Sequence, residues 1–152
     1  MDSGYLIDTN ILLQIVNPSM PGHLLCKQVL ADLYESGNRL YFTLQIASEF
    51  WNVSTRPLEK NGHGSDPGQA SRNWAAIEQL TTFLPDDRIV YRMWRDLVET
   101  NRVRGVQVHN AKLAATMLAY NVPNLLTLNV SDFARFTRIR AIHPSAVRPQ
   151  VP

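Results

Sequence analysis

Asp8, Glu49 and Asp132 are the residues whose type and setting point to chemistry. Each is a carboxylate close to an apolar run: Asp8 follows "YLI", Glu49 stands in "LQIASEFWNV", and Asp132 lies just past "NLLTL" in "NVSDF". An unpaired carboxylate is costly to desolvate, so Asp8 must either cap a helix or face something positive, such as a metal ion. Asp132 has the same two options, and Glu49 has the further one of an ordinary solvated helix position. Brought together, the three would repel one another and raise one or more pKa values unless a cation neutralised them. Only hard oxygen ligands are on offer, with no Cys or His cluster, so Mg²⁺ or Mn²⁺ suits the set better than Zn²⁺.

Convergence requires a particular arrangement of elements. "YLI", "NRLYFT", "NLLTL" and "RIRAIHP" read as four strands. Between them, "HLLCKQVLADLYESG", "LQIASEFWNVST", "QASRNWAAIEQLTTF", "IVYRMWRDLVETN" and "VHNAKLAATMLAYNV" carry apolar residues at helical spacing, and "NILLQIV" opens a helix or turn. Strands alternating with helices imply parallel pairing through right-handed crossovers: an α/β three-layer sandwich with a central, mainly parallel sheet flanked by helices. Ligands of such sheets bind at the carboxyl ends of the strands. Asp8 and Asp132 belong to that edge, and Glu49, one and a half helical turns past "LYFT", is close enough to point over it.

A chain of 152 residues with 45% hydrophobic composition suffices for one domain over residues 1–152. "PLEKNGHGSDPG", residues 57–68, is polar and rich in Gly and Pro, and is expected as an exposed loop. No stretch is long and apolar enough for a membrane span and the start lacks a basic leader, so a cytoplasmic protein is expected. Cys26 is the single cysteine, which excludes an intrachain disulfide. The net charge of +2 is unevenly spread: residues 1–87 hold 5 Lys and Arg against 10 Asp and Glu, and residues 88–152 hold 10 against 3. That asymmetry suits a polyanion lying across the carboxyl-terminal half, although solvated arginines on helix faces would produce the same count.

With these residues in view, the chain resembles the PIN-domain nucleases, and among them the VapC-type toxins of toxin-antitoxin pairs. "YLIDTNILL" is similar to the family's opening strand with its Asp-Thr-Asn, and "LQIASEFWNV" to its Glu-bearing helix. "GVQVHNAKLAATMLAYNVPNLLTLNVSDFARF" resembles its carboxyl-terminal block and "IRAIHP" its closing strand. The resemblance implies a PIN-like fold, a Mg²⁺- or Mn²⁺-dependent endoribonuclease acting on RNA, a small VapB-like antitoxin and a homodimer. Carried over by position, Asp8, Glu49 and Asp132 match acidic metal-site residues. Asn10 and Thr127 match polar neighbours that orient ligands or water, and Asn129 lies in the same turn. The departure is Asn110, where the family pattern has Asp. An amide oxygen still ligates a metal but brings no charge. The loss is several kcal/mol of attraction, since unit charges about 4 Å apart interact by roughly 4 kcal/mol at an effective dielectric of about 20.

The expected chemistry is phosphodiester hydrolysis assisted by divalent ions at Asp8, Glu49, Asn110 and Asp132. His109 is read as a helix-start or packing residue, because a metal-activated water needs no side-chain base. Arg102, Arg104, Lys112, Arg135 and Arg138 flank the motif block and are the candidates for RNA phosphate contact. Two other readings stand beside this one. Asn110 favours a non-catalytic PIN-like domain that binds RNA or regulates. A receiver or haloacid-phosphatase type of phosphoryl transfer would use Asp8 as nucleophile, but "DTN" lacks the second Asp of that pattern and no Lys follows the last strand. Phe50, Trp51, Trp74, Tyr91 and Trp94 are read first as core, with a groove or dimer face as their other use.

Overall fold

The computed structural model describes residues 3–147. The chain opens with strand β1 (Tyr5–Ile7), helix α1 (Thr9–Val16), helix α2 (His23–Glu35), strand β2 (Leu40–Thr43) and helix α3 (Leu44–Thr55). Helix α4 (Pro67–Leu80), strand β3 (Thr82–Leu84), helix α5 (Arg88–Thr100) and helix α6 (Gln107–Tyr120) follow, and strands β4 (Asn124–Leu126) and β5 (Arg140–Ile142) close it. The strands form one sheet in the order β3-β2-β1-β4-β5, parallel throughout.

The order explains where a site can form. From β1 the chain steps outward to β2 and β3, then crosses back to pair β4 on the other side of β1. Right-handed crossovers in opposite directions put their helices on opposite faces. In agreement, α1 packs with α2 and α3, and α3 with α4, while α5 and α6 pack mainly on each other. The strand order therefore reverses between β1 and β4, and the crevice beyond their carboxyl ends is the switch point where parallel sheets bind ligands. Ile7 is in register with Leu126, so Asp8 and Thr127 emerge side by side.

Burial follows the sequence pattern. Leu6, Ile7, Leu125 and Leu126 are fully buried from both faces, as near-continuous apolar strands require. Ile11, Leu12, Ile46 and Phe50 pack beneath α1 and α3, and Ala111, Ala114, Ala115 and Met117 do the same on α6. Helix starts are capped by side chains: Thr43 accepts from the Ile46 amide, Asp66 from Gln69 and Asp87 from Val90. Gly37, at φ +83°, follows the end of α2, a left-handed position that disfavours side chains.

One expectation needs correction. "QASRNWAAIEQLTTF" is not one helix: α4 ends at Leu80, and Thr82–Leu84 is an edge strand pairing with Tyr41–Thr43. Its Thr82 and Phe83 are exposed, so neither alternation nor a buried run betrays it, although Thr and Phe favour strands. The segment 57–68 is largely exposed, but it is stitched to α3: the amides of His63, Gly64 and Ser65 donate to the carbonyls of Val53, Arg56 and Ser54. Gly62 lies so close that a Cβ there would meet the Arg56 carbonyl oxygen at 1.9 Å. Of the aromatics, Phe50 and Trp74 stack in the core with Phe42, and Trp94 donates its indole N–H to Val108, whereas Trp51 and Tyr91 are exposed. Among the described residues no helix is long and apolar enough to cross a membrane.

Candidate active site

Asp8 is both cap and cleft residue. It leaves β1 in extended conformation, its amide donates to the Leu126 carbonyl, and its Oδ1 accepts from the Thr9 amide at 2.7 Å, starting α1. Its Oδ2 accepts from the Thr127 hydroxyl at 2.7 Å and, at 3.4 Å, from Asn10 Nδ2. Thr127 Oγ1 in turn accepts from the Asn129 amide and from Asn10 Nδ2, while Asn10 Oδ1 accepts from the Leu128 amide. The ends of β1 and β4 are thus tied by a polar lattice around one carboxylate.

The other acids reach the same space from different elements. Glu49, on α3, accepts from Thr9 Oγ1 at 2.9 Å and from Gln45 Nε2 at 3.3 Å. Gln45 Nε2 also donates to the His109 carbonyl, linking α3 to the first turn of α6. There Asn110 donates from Nδ2 to Gln107 Oε1. Asp132 sits in a 3₁₀ turn, Val130–Phe133, beyond β4. Asp8, Glu49, Asn110 and Asp132, together with Asn10 and Asn129, line one open cleft of about 320 Å³, with Leu13, Val53 and Phe133 as apolar wall. A larger hollow of about 500 Å³ lies at the opposite, amino end of the strands beside Tyr5 and Arg140; size alone does not locate the chemistry.

Electrostatically the cleft lacks positive charge. Burial pushes the Asp8 carboxyl above its ordinary value; the Thr127 and Thr9 hydrogen bonds oppose this, and the charges of Glu49 and Asp132 add to it. Among the described residues, no Lys, Arg or His lines the cleft. Nor do any three His, Cys, Asp or Glu side chains of the described residues stand close enough to form a ready-made ligand cluster. Asn110 contributes an amide oxygen, not a carboxylate, to the cleft. An all-oxygen donor set around a desolvated, uncompensated carboxylate fits Mg²⁺ or Mn²⁺.

All four proposed ligand positions and the neighbouring Asn10 and Asn129 therefore line one cleft without closing into a cluster, and Thr127 joins it through its bond to Asp8. The five proposed phosphate contacts do not line the cleft. Lys112 pairs with Asp86 at 2.7 Å, Arg102 and Arg104 are exposed in the α5–α6 connection, and Arg135 and Arg138 flank a separate hollow beside Asp96. His109 is exposed and joins the site through its carbonyl. Gln45 and Asn52 belong to the site without being singled out by the sequence motifs, and Thr9, the middle residue of Asp-Thr-Asn, belongs to it without having been given a role. Gln45 does carry a signal, since it stands four residues before Glu49, on the same helix face.

No protein-family model matches this chain, and no curated protein matches it in sequence. Its fold does match solved structures. A chain of VapBC2 from Rickettsia felis, bound to a DNA fragment from their promoter, aligns at 15% identity and TM-score 0.69 over 92% of this chain and 98% of that one. VapBC-1 from nontypeable Haemophilus influenzae aligns at 19% and 0.67 over 93% and 98%. VapC20 from Mycobacterium tuberculosis, a sarcin-ricin loop cleaving toxin, aligns at 16% and 0.57 over 80% and 86%. At such identities the likeness establishes the fold. This chain has the PIN-like α/β three-layer sandwich found in these VapC-type toxin assemblies.

Proposed function

We propose that this chain is a divalent-metal-dependent endoribonuclease, the toxin component of a toxin-antitoxin pair, in which Asn110 attenuates activity. The observation that carries the reading is the meeting of Asp8, Glu49, Asp132 and Asn110 in one cleft without cationic side chains at the β1–β4 switch point. The fold neighbours add weight, since they are toxin-antitoxin proteins and one is a sarcin-ricin loop cleaving toxin. A VapB-like antitoxin, a homodimer and a cytoplasmic setting belong to the same proposal.

Asp8, Glu49 and Asp132, with the Asn110 amide oxygen, would hold Mg²⁺ or Mn²⁺. When bound, such an ion supplies Lewis acidity toward the phosphate and a more acidic water. The chain's own residues do the positioning. Thr127 and the Thr9 amide keep the Asp8 carboxylate fixed, Thr9 and Gln45 hold the two oxygens of Glu49, and the apolar wall of Leu13, Val53 and Phe133 limits water. No side chain in the cleft is a cationic acid or an imidazole base, so proton movement falls to water and the carboxylates.

The test is RNA cleavage by purified, antitoxin-free protein with EDTA, Mg²⁺ or Mn²⁺, alongside Asp8→Asn and Asn110→Asp. Cleavage that needs metal, disappears in Asp8→Asn and rises in Asn110→Asp is the expected result. Folded protein of all three forms that cleaves no RNA under any metal overturns the nuclease reading. It would favour the second one, a non-catalytic RNA-binding PIN-like domain, for which the neutral Asn110 and the separated carboxylates speak.

A further inference from the structure

A further hollow has a chemistry different from that of the acidic cleft. Its volume is about 210 Å³, and it is lined by Val16 and Asn17 of the α1 end, Ser54 of α3, His63 and Ser65 of the docked loop, and Asn73 with Gln69 of α4. The two spaces share no lining residue but lie along the same two helices: on α3 Val53 lines the cleft and Ser54 the hollow, and on α1 Leu13 lines the cleft while Val16 and Asn17, one turn on, line the hollow. Ser54 is only 2% exposed, yet its hydroxyl has no hydrogen-bond partner among the described residues. A buried hydroxyl without a partner is rare and calls for a ligand or water. At about 30 Å³ of liquid volume per molecule, the space exceeds what one bridging water would occupy several times over.

The lining selects among ligands. It contains no Asp, Glu, Lys or Arg, so it suits neither a phosphate nor a metal ion. Among the described residues, its groups without a hydrogen-bond partner are the Ser65 hydroxyl, the His63 ring, the Asn17 and Asn73 amide nitrogens and the almost fully buried Ser54 hydroxyl, a mixture of donors and acceptors. Burial lowers the His63 pKa, so near neutrality the ring is uncharged and offers one donor, one acceptor and a flat face. Sequence-specific proteins read unpaired RNA by hydrogen-bonding and stacking a splayed-out base. We propose that the Ser54–His63–Asn73 hollow is a nucleobase subsite that seats a base of the bound RNA at a distance from the scissile phosphate, about the length of α1 from Asp8, and sets which sequences are cut. This rests on the nuclease reading for its meaning but not for its test.

Two measurements on the full chain decide it. Amide NMR spectra titrated with AMP, CMP, GMP and UMP are expected to shift at Ser54, His63 and Asn73 with one nucleotide preferred, and His63→Ala and Asn73→Ala to abolish those shifts. Ser54→Ala removes an unbonded hydroxyl, so it folds like the parent and is expected to alter the preference. Cleavage of RNAs differing at a single base within a few nucleotides of the cut is expected to change its ratio roughly tenfold or more in these variants. The absence of any nucleotide-dependent shift, or variants that slow all RNAs equally, overturns the subsite. Asp8→Asn separates the two ideas: it stops cleavage if the nuclease reading holds, and it leaves the nucleotide shifts in place if the hollow is a base site.

Discussion

At the scale of single residues, Asp8 carries an electrostatic cost that a cation relieves. Its folded carboxyl binds a proton more tightly than the ordinary value of 3.8, because it is buried and faces Glu49 and Asp132. Between 3.8 and that raised value the folded chain holds more protons than the unfolded one, so Asp8 costs stability as pH rises through the interval, and the cost persists above it. In EDTA, the Tm of the parent is therefore expected to fall relative to Asp8→Asn on going from acid to neutral pH. Mg²⁺ or Mn²⁺ is expected to restore the lost stability at neutral pH and not in acid, contributing about 2.7 kcal/mol at a hundredfold excess over Kd. Parallel Tm curves for the two proteins would refute this. Asn110→Asp adds a charge to the same cleft, and calorimetric titration is expected to show divalent affinity at least about tenfold tighter, or about 1.4 kcal/mol. Unchanged affinity would place position 110 outside the ligand set. Thr127→Val keeps the shape but removes the hydroxyl that serves Asp8, Asn10 and the Asn129 amide, for an expected loss of about 1–3 kcal/mol in urea unfolding.

At the scale of elements, Gln45 couples α3 to α6. Its amide touches both Glu49 and the His109 carbonyl next to Asn110, so Gln45→Ala lets the two helices that carry the proposed ligands settle independently. Divalent affinity is expected to drop by about 10–100-fold with the far-ultraviolet circular dichroism unchanged. An unaltered affinity would make the bridge incidental. The same elements mark what sequence can reveal. Asp8 and Asp132 are legible because each follows a buried apolar strand, and Glu49 because its helix starts directly at the end of one. β3 is not legible: three residues on a sheet edge, two of them exposed, carry no periodicity, and its pairing with β2 is a tertiary fact. Thr9 gives little signal, since a threonine after a helix cap is commonplace and its role depends on Glu49, 40 residues away. Nor can charge counting tell which cations are spoken for, as the pairing of Lys112 with Asp86 shows.

At the scale of the molecule, positive charge is concentrated in residues 88–152 yet stays off the cleft floor. RNA affinity is accordingly expected to depend on salt through exposed arginines. Replacing Arg102 and Arg104 together is expected to flatten the slope of log affinity against log salt by about 0.7 for each phosphate no longer neutralised, as for single strands. Lys112→Ala, whose charge is already paired, is expected to change it less; an equal effect would put Lys112 on the RNA path. The bond between Thr127 and Asp8 joins positions 119 apart. During synthesis, then, the acidic cleft stays unfinished until Thr127 and Asp132 have left the ribosome. Fragments from interrupted translation that stop before Thr127 emerge without the hydroxyl that holds Asp8 and without Asp132, and under the proposed function they are expected to be inactive.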